Sequence, residues 1–488
     1  MNNSTKTFLL CTLCAALCGC MVGPDFEKPE ADKLLGESYS KKSDKADSLA
    51  LAAWWKTFDD DELNSLIERA LSQNLDLEVA RYRVLQARAN LGIAQSSLLP
   101  VVDINAAMAE KTKNTMLDKS SPTYSAGLKS SWEIDVFGAT RREIESKIAL
   151  YEAAFASQAA TRIAIAAEVA DCYFKYRATQ ICLIITKKNL QTQKNTCQIT
   201  QQRRNNGFVS ELDVVRAQAQ VESTMSEIPT LESTLKTAQN ALELLLAVKS
   251  GSLKDELEST PAKLPDLENY IPYGVPAELL ERRPDIIAAE YDFRQAMAQI
   301  GVAQADLLPK FSITGSISYQ APDIGNMFQN QYGTWSVGPN ISWNIFNAGK
   351  TLFNIERQKT AAKEYEAKWK QTVLTAAKEV EDGIVSSQKS RQKIDILIEL
   401  VRKNQKAFDI SKKLYSEGEL EFLDLLETQR SLLTSEQNLV NNRKNLISDF
   451  ISLYKALGGG WSVDDINNQK KDLQKYIIFT DGDSLSLF

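Results

Sequence analysis

Cys20 carries the plainest chemistry in the chain. Thr7 to Leu17 form a short apolar run behind a lone positive charge at Lys6, and the run ends in Leu17-Cys18-Gly19-Cys20. Leucine three residues back and glycine immediately before a cysteine make the pattern that a lipoprotein signal peptidase reads. Residues 1–19 are then a signal peptide, too short to span a bilayer and to be set aside before fold reasoning. Cys20 becomes a lipid-bearing first residue. Met21 follows it, so the aspartate that retains such lipoproteins at the inner membrane is absent, and the outer membrane is expected. Cys172, Cys182 and Cys197 have spacings unlike a metal motif or a small disulfide framework, and read as core or seam residues. Arg282, Arg283, Asp285 and Glu290 resemble a catalytic cluster, but no nucleophile or cofactor loop accompanies them. The chain has no histidine, which excludes histidine triads and histidine zinc sites. Carboxylates gather at Glu419, Glu421 and Asp424, with Asp213 in a matching place upstream. Acidic residues also suit the first turn of any helix. No enzyme, metal or cofactor constellation emerges. The net charge of −6, without a basic tract, excludes nucleic acid as a partner.

The elements that carry these residues are few and long. Residues 20–58 read as a lipid-linked tether, polar and proline-punctuated until Ala53 to Phe58 introduces two tryptophans and a phenylalanine. A first repeat spans 59–260. It begins with a helix from about Asp59–Asp61 to Ser97, whose Leu63, Leu66, Ile67, Leu71, Leu75, Val79, Tyr82 and Leu85 recur at threes and fours as one apolar side. Pro100 ends it, and alternation from Val101 to Ala109 reads as a strand, with Tyr124 to Val136 returning. Arg141 to Asn205 has neither proline nor glycine and forms a rod; Gly207 breaks it, and a partner helix returns from Ser210 to about Val248 with a kink or stagger at Pro229. Residues 261–283 are a proline-rich linker. Residues 284–460 repeat the plan: helix Pro284 to Leu308, junction Pro309, strands Phe311 to Tyr319 and Trp335 to Phe346, rod Lys350 to Tyr415, break Gly418, return Glu421 to Leu457. Residues 461–488 are a tail.

The halves are an internal duplication. Trp132 and Trp343, Gly207 and Gly418, Asp213 and Asp424, and Gln218 and Gln429 are each 211 residues apart. LGIAQSSLLP before the first strand returns as IGVAQADLLP before the third. Strands of about ten residues suit a tilted bilayer crossing. Four strands leave two open edges, and unpaired backbone in lipid costs several kcal/mol per group. Either the strands avoid the membrane or several chains pool them; a dimer, trimer or tetramer satisfies that argument.

The motifs then carry a resemblance. Gly23-Pro24-Asp25-Phe26, Trp55 with Phe58, Trp132-Glu133-Ile134-Asp135-Val136-Phe137-Gly138, Leu279 to Ile286 with Ala289-Glu290, Ile300 to Ala305, and Trp343 to Phe346 with Gly349 occur in order from Cys20 to about Trp461. They resemble the outer membrane factor family, in its lipoprotein branch paired with resistance-nodulation-division pumps. The resemblance implies a mixed α and β membrane protein: a homotrimer whose twelve-stranded transmembrane β-barrel, four strands per chain, continues as a periplasmic α-helical barrel with a mixed α/β equatorial region. It implies a passive exit duct for drugs or other small molecules, partnered by a periplasmic adaptor, an inner-membrane pump and outer-membrane lipid. Glu419, Glu421, Asp424 and, less directly, Asp213 become candidates for a carboxylate ring at the periplasmic aperture. Arg203 and Arg204 would bridge to those acids or meet the adaptor, and Gly207 and Gly418 mark the hairpin tips. Trp132, Trp335 and Trp343 become candidate bilayer-edge anchors. The Arg282 to Glu290 cluster becomes a charged helix start. Protein secretion or metal export through the same fold is the nearest alternative; a coiled-coil envelope tether without a pore is a different class.

Overall fold

The computed structural model describes residues 21–31, 53–111, 121–266 and 282–461. Cys20, the core of the linker and the tail beyond Trp461 lie outside the described residues, as does any equatorial structure they form.

A short 3₁₀ turn, Trp54–Phe58, buries both tryptophans and the phenylalanine. The helix expected from Asp59–Asp61 to Ser97 is two helices, α1 (Asp61–Gln73) and α2 (Leu75–Ser96). Asn74 separates them. Its side-chain oxygen accepts from the amides of Asp76 and Leu77 at 2.9 and 3.1 Å, while its amide group donates to the Leu245 carbonyl at 2.8 Å. Local bonds of this kind compete with the helix ladder, and asparagine makes them readily. The break also divides the apolar side: Leu63, Leu66 and Ile67 are buried, whereas Leu75, Val79, Tyr82 and Leu85 stand exposed.

Strands β1 (Val101–Lys111), β2 (Ser121–Ile134), β3 (Lys310–Ala321) and β4 (Gly333–Ser342) form one antiparallel sheet in the order β1-β2-β3-β4. The two expected hairpins are therefore joined through β2 and β3. The fourth strand stops at Ser342 rather than Phe346, because the chain must then turn through left-handed backbone at Ala348 (φ 52°) and Gly349 (φ 82°).

The rods are α3 (Ala139–Asn205) and α7 (Lys350–Glu417), 67 and 68 residues long; each spans about 100 Å at the α-helical rise. Their partners are α4 (Glu211–Leu245) and α8 (Phe422–Ala456), with the short α5 (Lys254–Ser259) following α4. Pro229 lies inside α4 without ending it. Helix α6 (Pro284–Ala305) starts on its proline, whose missing N–H would be unpaired there anyway. Helices α2 and α6 have the same length and ends offset by 209 residues, α4 and α8 by 211. The largest core lies midway along the rods, where Trp54, Phe58, Leu63, Ile67, Phe174, Leu242 and Phe450 pack together. No helix among the described residues is long and apolar enough to cross a membrane.

Candidate functional site: sheet, junction and helical tip

The registers sort the sheet into two chemically different faces. One face carries the cross-strand rows Ile104–Leu128–Ile317–Trp335 and Ile134–Phe311–Ile341. The other carries Asp103–Lys129–Ser316–Ser336 and Glu133–Ser312–Asn340, with a 2.9 Å hydrogen bond between the Ser316 and Ser336 hydroxyls. Alternation at period two puts successive side chains on opposite sides, so the sheet is apolar on one side and polar on the other. Membrane barrels divide lipid from lumen in this way. Ile104, Ile341 and Trp335 are exposed, and β1 and β4 have no partner strand on their outer edges among the described residues.

Below the sheet, Pro100 and Pro309 mark the change from helix to strand, as their sequence context predicts. The helices stop four residues earlier, at Ser96 and Ala305, and one turn of looser backbone intervenes. Each junction is held by a tryptophan. The Trp132 indole donates to the Leu98 carbonyl at 2.9 Å and the Trp343 indole to the Leu307 carbonyl at 3.0 Å. Both are therefore tied to the base of the sheet, while Trp335 lies exposed on its apolar face.

The residues just after Cys20 dock at the same level. Val22 donates its amide to the Phe137 carbonyl, and Arg142, only 2% exposed, donates to the Val22 and Gly23 carbonyls and to the Asp25 carboxylate at 2.7 Å. Burial opposes the Arg142 charge, but its bonds to Asp25 and Glu145 prevail and hold its pKa above the ordinary value. Phe26 packs edge-on against Phe293, and Gly301 leaves room for Arg142 and the Val22 carbonyl, which a side chain there would meet at 2.8 Å. Nothing in the sequence singled out Arg142; the available signal was a basic residue in a first helical turn, where the dipole disfavours it.

Of the apparent catalytic cluster, only Arg283 and Asp285 meet, as a structural pair. Arg283 bonds Asp285, Glu379 and the Ala456 carbonyl, tying α6 to α7 and α8, while Glu290 pairs with Lys28 at 3.6 Å. The cysteines are structural as well: burial pushes the Cys172 and Cys182 thiols up to about 11. Among the described residues, no three Cys, Asp or Glu side chains are grouped so as to hold a metal ion.

At the far end, Gly207 and Gly418 take left-handed backbone (φ 78° and 88°) and close the hairpins. Arg203 does not reach the acidic residues. It donates to the Tyr415 carbonyl and lies 4.7 Å from the centre of the Tyr415 ring, bridging one hairpin to the other. The Tyr415 hydroxyl bonds Thr200 at 2.9 Å; burial raises its pKa, against the opposing effects of Thr200 and Arg203. Arg204 pairs within its own hairpin with Glu211 at 2.8 Å. The corresponding positions 211 residues later are Tyr415 and Phe422, which meet as rings 5.9 Å apart. One tip is thus closed by an ion pair and the other by an aromatic pair. Asp213 completes a capping box with Ser210, and Glu421 is the N-cap of α8. Glu419, Glu421 and Asp424 are exposed beside Gly418.

A membrane-patterned sheet continued by paired helical rods defines a class: outer-membrane channels with a helical extension. The chain belongs to the outer membrane efflux protein family, whose model matches residues 66–248 and 275–459. It is 32% identical over 452 residues to nodulation protein T of Rhizobium leguminosarum bv. trifolii, covering 91% of this chain and 96% of that one. It is 30% identical over 469 residues to the toluene efflux pump outer membrane protein TtgC of Pseudomonas putida, covering 94% and 96%. Among solved structures, the outer-membrane channel OprN superposes with a TM-score of 0.80 at 33% identity, covering 90% of this chain and 99% of that one. The chain is an outer-membrane efflux duct, and its work is passage rather than bond chemistry.

Proposed function

We propose that three copies of the chain close their sheets into one twelve-stranded barrel, and that their rods form a single periplasmic tunnel beneath it. One observation carries this reading: a four-stranded sheet with an apolar face, a polar face and, among the described residues, two unpaired edges. In lipid those edges require partners, and a sheet this small cannot enclose a lumen alone. The lipid on Cys20 anchors the outside of the barrel, since the strap that follows docks at its base. A periplasmic adaptor and an inner-membrane resistance-nodulation-division pump meet the helical end and supply small molecules and energy.

Glu419, Glu421 and Asp424, tripled by symmetry, set a negative aperture at the tips that holds cations and repels anions. Asp213 is engaged by Ser210 and contributes to that field more weakly. The test is native mass spectrometry of the detergent-extracted chain followed by conductance in planar bilayers. Three copies and a cation-selective current are expected, with selectivity reduced in a Glu419→Gln, Glu421→Gln, Asp424→Asn variant. A single-copy, non-conducting particle would overturn the duct assembly.

A further inference from the structure

Gly92 lies in the interior of α2 and, among the described residues, no atom beyond its own stretch of helix comes within 4 Å of where its Cβ would be. Such a glycine costs a helix stability relative to alanine and, within one copy, makes room for nothing. Its counterpart 209 residues later is Gly301, and there the glycine is required, because the Arg142 side chain lies across it. Arg142 in turn corresponds, 211 residues on, to Phe353, which is 76% exposed near the start of α7.

The two offsets convert a contact inside the chain into one between chains. Within one copy, the rear half of the first repeat (β2 and α3) packs on the front half of the second (β3 and α6). The duplicate of that rear half is β4 and α7, and the duplicate of that front half is β1 and α2; among the described residues β4 and β1 have no strand on their outer edges. We infer that Phe353 of each copy seats over Gly92 of the next, and that β4 pairs with the next copy's β1 in the register that β2 and β3 already use. Ser131 opposite Thr314 then becomes Ser342 opposite Asn105 of the next copy. That register sets polar residues beside polar ones, and it sets Ile341, on the apolar face, opposite Ala106. A register one residue off would place apolar against polar along the whole edge.

The inference rests on the closed-ring assembly proposed above and adds its contact and register. A heterologous interface repeated around an axis closes into a ring when the rotation permits. The occupant is a second copy of this chain, because the fold already performs the same docking on itself.

The test is a pair of cysteines, Gly92→Cys with Phe353→Cys, oxidised in the membrane and run without reducing agent. Bands of two and three copies are expected from the pair and from neither single variant, all of which keep the three native cysteines. Gly92→Phe, whose Cβ would have open space on its own copy, should release single copies with unchanged helical circular dichroism, and adding Phe353→Ala should restore much of the assembly. An oligomer that forms with its native heat resistance despite Gly92→Phe, or a closed oligomer in which the cysteine pair fails to cross-link, overturns the contact while leaving the ring intact. A native chain found as a single copy overturns the ring and this contact together.

Discussion

Arg203 reaches from the first helical hairpin to Tyr415 on the second, binding its carbonyl and lying 4.7 Å from the centre of its ring. Its ionic neighbours at the first tip pair within their own hairpin: Arg204 with Glu211, and Asp213 with Ser210 and Arg216. The two tips of one copy are therefore coupled through the Arg203 guanidinium beside the hydroxyl bond between Thr200 and Tyr415. Hydrogen bonds from charged groups contribute about 1.5–3 kcal/mol, so Arg203→Ala should loosen the tips by roughly 2 kcal/mol. Open events in planar bilayers should become more frequent by about tenfold or more. Arg203→Lys keeps the charge but loses the planar fork, and should recover only part of the closure.

A second charged knot sits midway along the rods. Arg177 is fully buried, binds Glu62 and donates to the Leu257 and Thr260 carbonyls, while the Tyr173 hydroxyl bonds both Asp60 and Glu62. Burial opposes the Arg177 charge, and its pairing with Tyr173 and Glu62 more than compensates. Removing one partner from such a pair strands the other in a dry interior, at a cost of about 3–5 kcal/mol. Arg177→Ala should lower the thermal midpoint by several degrees in detergent, whereas the double variant Arg177→Met, Glu62→Leu should recover much of the loss.

Much of this was legible in the sequence, because Pro100, Pro309, Gly207 and Gly418 punctuate it and a duplication repeats the punctuation. Strands and rods follow from period and from the absence of breakers, which are local properties. Asn74 escaped notice because its effect depends on a carbonyl 171 residues away, at Leu245. Arg142 and Tyr415 were missed for the same reason: each gains its role from a partner on another element. The exposed Leu75, Val79, Tyr82 and Leu85 carry the opposite lesson. Their helical spacing identified an apolar face correctly, but spacing does not say whether the cover comes from the same copy.

The strap after Cys20 offers a test that separates geometry from charge. Asp25 is largely exposed, so Asp25→Asn should loosen the strap only slightly, as exposed ion pairs contribute little. Gly301→Ala would push a methyl to within 2.8 Å of both Arg142 and the Val22 carbonyl. Overpacking of this kind costs about 1–3 kcal/mol. Limited digestion with a glutamate-specific protease should therefore cut after Glu27 markedly faster in Gly301→Ala than in Asp25→Asn or the native protein.

Glu243 gives the clearest pH dependence. Its buried carboxylate accepts from the amides of Gly251 and Leu253 at 2.8 and 3.2 Å and from Gln239 at 2.7 Å. Burial pushes its pKa up, but these three donors and Lys236 outweigh burial and hold it below the ordinary value of 4.5. A depressed folded-state pKa contributes stability that is complete above the unfolded value and is lost as pH falls through the folded one. Glu243→Gln should therefore be less stable than the native protein at pH 7, by roughly 1–3 kcal/mol for the charged acceptor removed. The difference should shrink as the pH drops below about 4.5. Thermal melts of both proteins between pH 7 and pH 3, about the range over which a carboxylate gains its proton, measure it directly. A gap that stays constant across that range would mean that the Glu243 side chain is held by shape and not by its charge.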